Sequence, residues 1–400
     1  MKNVAILGCG TVGRGVYTVL TQNSEIVAKN AGEELRVKYV VDLLDFPGDP
    51  VESVLTHDFN DVASDPEVDI VVETMGGLRA AYNFTKASLE AGKSVCTSNK
   101  ELVAAYGLEL LKTAKEHGVN YLFEASCGGG IPIIRPLMTS ITGDDILEIS
   151  GILNGTTNYI LTQMRDEGMD FDTALKGAQA NGFAELHPEA DIEGYDPCRK
   201  IAILTEIATG KAVDFNDIHC EGITKITAED IAYAGKLGAA IKLLASSVKT
   251  ENGYKMMVAP NLIGPDSPLY AVNGVFNAVF VKGNMLGDSM FYGSGAGSLP
   301  TASAVVGDVI DLAKNAGRCI MKIWDDDKLP IVPHAEAVNK FFVRVKAEDK
   351  EKAVAAFPVE RILDDPAAGE AAFITRPMSE GEFEAIKNEI TVIGYIRARI

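Results

Sequence analysis

The sequence predicts an α/β protein: a doubly wound parallel sheet at the amino end, a mixed α+β domain after it, and a small βαββαβ domain at the carboxyl end. Three observations predict this. Short apolar runs alternate with amphipathic stretches through residues 1–126. A glycine-rich turn follows the first of those runs at Gly8. Beyond residue 336, strand and helix patterns succeed one another in the order of a split βαβ unit.

The first strand is expected at residues 4–7, with further buried-strand patterns at 35–41, 68–72, 94–97 and 121–123. Between them the apolar spacing predicts helices at 78–91 and 101–117, ended by Gly92 and Gly118, which suit a left-handed position after a helix. Apolar strands separated by helices imply βαβ crossovers and a sheet covered on both faces. From residue 130 the texture changes. Residues 154–158 form a polar turn before a helix, 183–195 an acidic connection, and 196–209 a helix closed by Gly210. Residues 248–259 read as a hairpin about an Asn-Gly turn. A glycine-rich loop at 292–298 leads into a helix at 300–315, and the charged, proline-terminated stretch 325–330 is expected to be a linker. The last domain has strands at 341–345, 359–363, 371–375 and 390–397 and helices at 350–357 and 380–388. The expected domains are 1–129 with a returning helix near 299–325, then 130–298, then 336–400.

Acids outnumber bases by 56 to 37, a formal charge of −19, which repels a phosphate backbone and argues against nucleic acid as a partner. A nest of backbone amides can still hold a small anion in such a chain. No apolar run approaches the roughly eighteen residues that span a bilayer, so no membrane role is expected. The six cysteines, Cys9, Cys96, Cys127, Cys198, Cys220 and Cys319, show no paired spacing. Neither a disulfide framework nor a zinc site is expected, and a reducing cytoplasm fits.

The turn Gly8-Cys9-Gly10-Thr11-Val12-Gly13 lies between the first strand and a helix, the context that a dinucleotide-binding turn requires. Gly8 permits the turn, Gly10 lets a pyrophosphate approach the backbone, and Gly13 lets helix and strand pack closely with amides facing the anion. This makes the first domain Rossmann-type. Asp42 ends the second strand and is the carboxylate expected on the ribose, so residues 21–34 must lengthen the first helix and its loop. A carboxylate there favours NAD over NADP, whereas the nearby bases Arg36 and Lys38 leave the choice open.

Asn99-Lys100 follows a strand at the carboxyl edge of the sheet, and a lysine at a helix start opposes the helix dipole, a broken local rule that points to function. Gly128-Gly129-Gly130, after Glu124, bare carbonyls and amides suited to a hard cation such as sodium. Cys127 is either a thioester nucleophile or a small residue in a tight turn. In the acidic stretch 182–200, a helix starting near Pro197 with Asp196 as its cap puts Lys200 on the face of Asp196. That pair is either a solvated ion pair or part of a built site.

Residues 182–200 read Gly-Phe-Ala-Glu-x-x-Pro-x-x-Asp-Ile-Glu-Gly-x-Asp-x-x-Arg-Lys, which resembles the long central motif of the homoserine dehydrogenases. The amino-terminal glycines, Ser98-Asn99-Lys100, residues 124–132, Asn154-Gly155-Thr156-Thr157-Asn158 and Gly295-Ala296-Gly297 with Pro300-Thr301-Ala302 resemble that family in the same order. The resemblance implies NAD(P)-dependent interconversion of L-homoserine and L-aspartate 4-semialdehyde, on the path to threonine and methionine. By motif position it implies Lys200 as proton donor in the reducing direction, Lys100 as second catalytic lysine, and Glu185, Asp191 and Asp196 around the homoserine ammonium. It implies cofactor contacts at Gly8, Gly10, Thr11, Val12, Gly13, Asp42, Ser98, Lys100, Gly182 and Gly297. A sodium ion is implied at Glu124, Cys127, Gly129 and Ile131, the last three through backbone carbonyls. A homodimer or homotetramer is implied too. Hydride arriving at an aldehyde leaves charge on oxygen, which an ammonium can stabilise and protonate.

Two departures from the family matter. NADP-preferring relatives carry Arg before the second-strand Asp, where this chain has Val41, which points to NAD or dual use. The last domain resembles an ACT module, a sensor of amino acids, but Glu348-Asp349-Lys350-Glu351 replaces its usual Asp-x-Pro-Gly loop. It serves either an amino-acid effector such as threonine or subunit contact. Two other functions stay open at this point: aspartate-semialdehyde dehydrogenation through Cys127, and non-catalytic amino-acid sensing.

Overall fold

The computed structural model describes residues 1–363, 367 and 369–400. They form two compact units: Met1–Asp144 with Ala202–Val213 and Phe291–Lys328, and Asp145–Ile201 with Asp214–Met290 and Leu329–Ile400.

In the first unit, strands β1 (Lys2–Leu7), β2 (Leu35–Val41), β3 (Leu55–Thr56), β4 (Val68–Glu73), β5 (Ser94–Thr97) and β6 (Tyr121–Leu122) alternate with helices α1 (Thr11–Gln22), α2 (Ser24–Ala31), α3 (Asn60–Ala63), α4 (Arg79–Glu90) and α5 (Lys100–Glu116). The strands lie in the order β3-β2-β1-β4-β5-β6, parallel throughout. The order reverses between β1 and β4, which opens a crevice at their carboxyl ends. Val4, Ile6, Ile70, Val72 and Cys96 on one face pack with Val16 and Leu20 of α1 and with Ala302, Val305 and Val309 of the helix Ser298–Lys314. The extra length before β2 is a second helix. Asn23 leaves helical geometry between α1 and α2, and α2 ends at Gly32 with φ +80°.

The linker expected at 325–330 is instead a strand, Asp325–Lys328, paired in parallel with Lys211–Ala212. Its acidic side chains all face solvent, so the charge run costs nothing. The buried Trp324 just before it anchors the stretch, edge-on to Phe123 at 6.3 Å.

In the second unit a mixed sheet runs through Phe276–Gly283, Ile146–Ile152, Ala240–Thr250, Gly253–Ile263, Val392–Arg399, Val338–Lys346, Glu370–Thr375 and Val359–Ile362. The long hairpin Ala240–Thr250/Gly253–Ile263 turns at Glu251-Asn252. The carboxyl-terminal segment has the expected βαββαβ order, and its strands lie fourth, first, third, second in antiparallel array. Phe341, Phe357, Phe373 and Phe383 fill its core. The segment is not set apart: Val392–Arg399 pairs in parallel with Gly253–Ile263 through Asn261↔Arg397, Leu262↔Ala398 and Ile263↔Arg399. Two buried guanidinium groups secure it. Arg344 bridges Asp230 and Glu370, and Arg397 bridges Glu380 and Glu221, all at 2.7 Å.

The helix expected to start near Pro197 with Asp196 as its cap begins at Tyr195 instead and runs to Thr209. Proline lacks an N–H, but first-turn N–H groups have no helical partner to lose, so Asp196 and Pro197 both lie inside the first turn.

Candidate active site

The glycine turn divides its labour by space. Gly8 has φ +91°, and a Cβ on Gly13 would lie 1.9 Å from the Gly8 carbonyl oxygen. A Cβ on Gly15 would lie 2.7 Å from the Ser298 carbonyl oxygen, so the returning helix packs directly on α1. Gly10 has nothing within 4 Å of its Cβ position: the room there is suited to a ligand. Thr11 and Val12 open α1, whose first-turn amides face that space. The Thr11 carbonyl accepts a hydrogen bond from Ser298 Oγ at 2.6 Å, which brings Gly297, at φ +116°, beside the turn.

Asp42 follows the end of β2. Its Oδ2 accepts from Cys9 N–H at 2.7 Å and its Oδ1 from Leu44 N–H at 3.0 Å, which ties this acid to the glycine turn. Lys38 points away from this edge to Asp65 and Glu67, at 2.5 and 2.7 Å. Arg14, one turn into α1, is ion-paired with Asp49 and lies over the Phe46 ring.

At the carboxyl end of β5, Asn99 caps α5. Its Oδ1 accepts from Glu101 and Leu102 N–H, both at 3.1 Å, and its Nδ2 donates to the Gly77 carbonyl at 2.9 Å. Lys100 is thus the first helical residue, and Ser98 N–H donates to the Glu73 carbonyl at 3.4 Å.

The loop after β6 departs from the expectation for Glu124. Its Oε1 accepts from Ile133 and Ile134 N–H at 2.7 and 3.0 Å, and its Oε2 from Arg135 N–H at 2.7 Å. These amides open a short helical segment, so the carboxylate serves as their acceptor. Burial pushes this carboxyl above its ordinary range, against the pull of Arg135 and the three amides. What Glu124 can offer a cation is its carbonyl. Gly128 and Gly129 have φ +75° and +56°, and a Cβ on Gly129 would meet the Gly295 carbonyl oxygen at 2.4 Å. Cys127 is fully buried, so its thiol is not presented to a substrate and the thioester alternative loses its nucleophile. Among the described residues no three His, Cys, Asp or Glu side chains form a metal-sized cluster.

In the second unit Lys200, 7% exposed, donates from Nζ to Asp196 Oδ2 and to the Leu153 carbonyl, both at 2.7 Å. Asn154 Nδ2 reaches Asp191 Oδ1 at 2.7 Å and Asp196 Oδ2 at 2.9 Å. Asn154 also caps the helix Gly155–Asp166 by accepting from Thr157 N–H at 2.9 Å. The solvated i,i+4 ion pair is therefore excluded: Asp196 is 3% exposed. Glu185 is exposed, its carbonyl accepting from Gln179 Nε2 at 3.0 Å, and no hydrogen bond among the described residues ties its carboxylate to this cluster. Gly182, at φ +73°, lies just past the helix Phe171–Ala180. Sequence reasoning missed Asn154 as a site residue, and the signal was its place at the head of the polar turn before a helix.

Comparison with known proteins agrees across the chain. A family model described as homoserine dehydrogenase, NAD binding domain, matches residues 8–124, and one described as homoserine dehydrogenase matches residues 132–310. The homoserine dehydrogenase of Synechocystis is 39% identical, covering 98% of this chain and 97% of the relative. That of Pseudomonas aeruginosa is 39% identical, with 86% and 82% covered. The crystal structure of a homoserine dehydrogenase from Thiobacillus denitrificans superposes with a TM-score of 0.92 at 37% identity, covering 100% of this chain and 98% of that one. A hyperthermophilic archaeal homoserine dehydrogenase in complex with NADPH superposes with a TM-score of 0.66 at 30% identity, over 78% of this chain and 98% of that one.

Proposed function

The chain belongs to the homoserine dehydrogenase family, enzymes that interconvert L-homoserine and L-aspartate 4-semialdehyde with a nicotinamide cofactor, and on that premise we propose which of its residues carry the reaction. Lys200 donates the proton to the aldehyde oxygen in the reducing direction and receives it in reverse. The observation that carries this is the buried ammonium held by Asp196 and the Leu153 carbonyl at 2.7 Å. The two contacts fix the group where a developing alkoxide can meet a preorganised cation. Asp191 and Asp196, joined through Asn154, supply the negative charge that selects an α-ammonium substrate, with Glu185 closing on it. Lys100, at the head of α5 in the first unit, is the second catalytic lysine.

When bound, the nicotinamide cofactor supplies or takes the hydride. Gly8, Gly10, Thr11, Val12 and Gly13 fit its pyrophosphate, because Gly10 leaves open space in front of first-turn amides. Asp42 would hold the ribose, Ser98 and Lys100 the nicotinamide, with Gly182 and Gly297 as further contacts. The preferred cofactor is NAD: Val41 stands where an arginine would, Arg14 is committed to Asp49, and Lys38 to Asp65 and Glu67. A sodium ion, where present, would be held by Glu124, Cys127, Gly129 and Ile131 through their carbonyls. The left-handed glycines that reverse the loop and the use of the Glu124 carboxylate by amides both support a site built from carbonyls.

The carboxyl-terminal segment is an ACT-like unit, supported by its strand order of fourth, first, third, second. Exposed apolar side chains at Met285, Leu286 and Met290 support a homo-oligomer. The absence of a disulfide among the described cysteines supports a reducing cytoplasm. The test is homoserine-dependent reduction of NAD and of NADP side by side, with and without threonine. Turnover with NAD preferred is the expected result, and absence of turnover with either cofactor defeats the assignment of roles.

A further inference from the structure

Glu73, the last residue of β4, is fully buried, yet its carboxylate meets two partners rather than a cation. Its Oε1 accepts from Met75 N–H at 2.7 Å and its Oε2 is 2.5 Å from Thr97 Oγ1. Thr97 ends β5, and its Oγ1 accepts from Asn99 N–H at 2.9 Å. Asn99 caps α5 and binds the Gly77 carbonyl. One carboxyl group thus joins the turn after β4, residues 74–77, to the turn that presents Lys100.

We propose that Glu73 is a positioning residue for the reaction: through Thr97 and Asn99 it sets the turn that presents Lys100, and it does so in its ionised form. This rests on the reading of Lys100 as a catalytic lysine. With the carboxyl ionised, the hydrogen bonds run one way, from Asn99 N–H to Thr97 Oγ1 and from the Thr97 hydroxyl to Glu73. Such a directed chain is cooperative. With the carboxyl protonated, Oε2–H donates to Thr97 Oγ1. The hydroxyl must then turn its own hydrogen elsewhere, and its oxygen is shared with Asn99 N–H. The groups that face the carboxyl are the Thr97 hydroxyl, the Met75 amide, the Cys96 thiol and the Tyr121 phenol, the last two buried and both pushed up by that burial, with Glu73 adding to the shift. With no cation among the described residues to offset its burial, the Glu73 carboxyl is pushed up to about 7, so both forms are populated near neutrality.

The test compares wild type, Glu73→Gln, Thr97→Val, Thr97→Ser and Lys100→Ala, in homoserine oxidation across pH 6 to about 9. Glu73→Gln mimics the protonated acid, since its amide donates where that acid would. The expected result is a low-pH limb in wild-type kcat near neutrality that Glu73→Gln loses. The variant should be about tenfold slower at high pH with little change in cofactor KM. Thr97→Val should match it, and Thr97→Ser should restore most of the activity. Wild-type kcat and an unchanged limb in Glu73→Gln overturn the proposal, as does a lower melting temperature with an unchanged profile. If Glu73→Gln does not fold, the contrast between Val and Ser at Thr97 decides alone. Lys100→Ala separates the two readings. An active Lys100→Ala removes the role of Lys100 and the proposal with it. An inactive Lys100→Ala beside wild-type-like Glu73 and Thr97 variants removes the proposal alone.

Discussion

Lys200 Nζ lies 2.7 Å from Asp196 Oδ2, one helical turn away, and the same oxygen accepts from Asn154 Nδ2 at 2.9 Å. The ammonium is therefore steered by an acid that is itself held from a different helix. Lys200→Ala is expected to lower kcat by about 10²-fold or more while cofactor affinity stays within about twofold, because the lost interaction is made in the transition state. Asn154→Ala leaves the charges in place and loosens the acid, so a smaller loss of about tenfold is expected. Steady-state kinetics with a cofactor fluorescence titration measure both, and near-wild-type kcat in Lys200→Ala rejects its role.

The glycine turn gives opposite outcomes at positions three apart. At Gly13 a methyl group would lie 1.9 Å from the Gly8 carbonyl oxygen and 2.7 Å from Thr74 Oγ1, so Gly13→Ala is expected to lower the melting temperature sharply or prevent folding. Gly10 has φ −74° and open space. Gly10→Ala should keep its melting temperature within about 2 °C and weaken cofactor binding about tenfold or more. Thermal melting without ligand, then titration with cofactor, separates the two.

Cofactor choice is expected to respond to Asp49. Its pairing with Arg14 withholds the guanidinium nearest the glycine turn. Asp49→Ala should raise the kcat/KM ratio of NADP over NAD by about threefold or more, since a freed arginine favours a 2′-phosphate. Asp42→Ala should lower kcat/KM for NAD, as the acid that holds Cys9 N–H at 2.7 Å is lost from the ribose side. Unchanged ratios in both variants refute the electrostatic account.

Stability should depend on pH through Glu221. Burial would raise its carboxyl, but His219 and the Arg397 guanidinium overcome this and hold it at about 2, below the ordinary 4.5. The folded state thus binds the proton less readily than the unfolded chain. The stabilisation is present above about pH 4.5 and is lost as pH falls toward about 2. Glu221→Gln keeps the shape and removes the titration. The stability difference between wild type and variant, at most about 3 kcal/mol at neutral pH, should vanish in that acid window. Denaturant unfolding at a series of pH values measures it, and a difference independent of pH rejects the assignment.

The parallel sheet was legible in the sequence because its strands are buried on both faces and so read as unbroken apolar runs. Gly8, Gly10 and Gly13 were legible because a turn between strand and helix needs them in that order. Other features rest on partners far apart in the chain. Asn154 meets Asp191 and Asp196 across 37 and 42 residues, and no local pattern carries that. The Glu124 carboxylate is taken by backbone amides, which every residue but proline possesses, so sequence could not single them out. The strand Asp325–Lys328 was hidden because its side chains are solvated, Asp326 pairing at the surface with Lys112, and its place in the fold is set by its backbone.

The junction of the carboxyl-terminal segment has a consequence for how such chains can evolve. Three register pairs and two buried arginines attach the segment to the rest of its unit, helped by Lys255 on Val338 and Asn339, Arg399 on Glu148 and Tyr233 on Glu370. A chain that acquires it must offer a receptive strand edge and two acids, Asp230 and Glu221, for Arg344 and Arg397 to find. A chain that sheds it is left with those acids stripped of their guanidinium partners, a penalty of several kcal/mol where the acid stays buried. The same state, two acids without their arginines, lies on the path of gain as well as of loss, so either change runs most easily where those acids are solvated or replaced while the segment is absent.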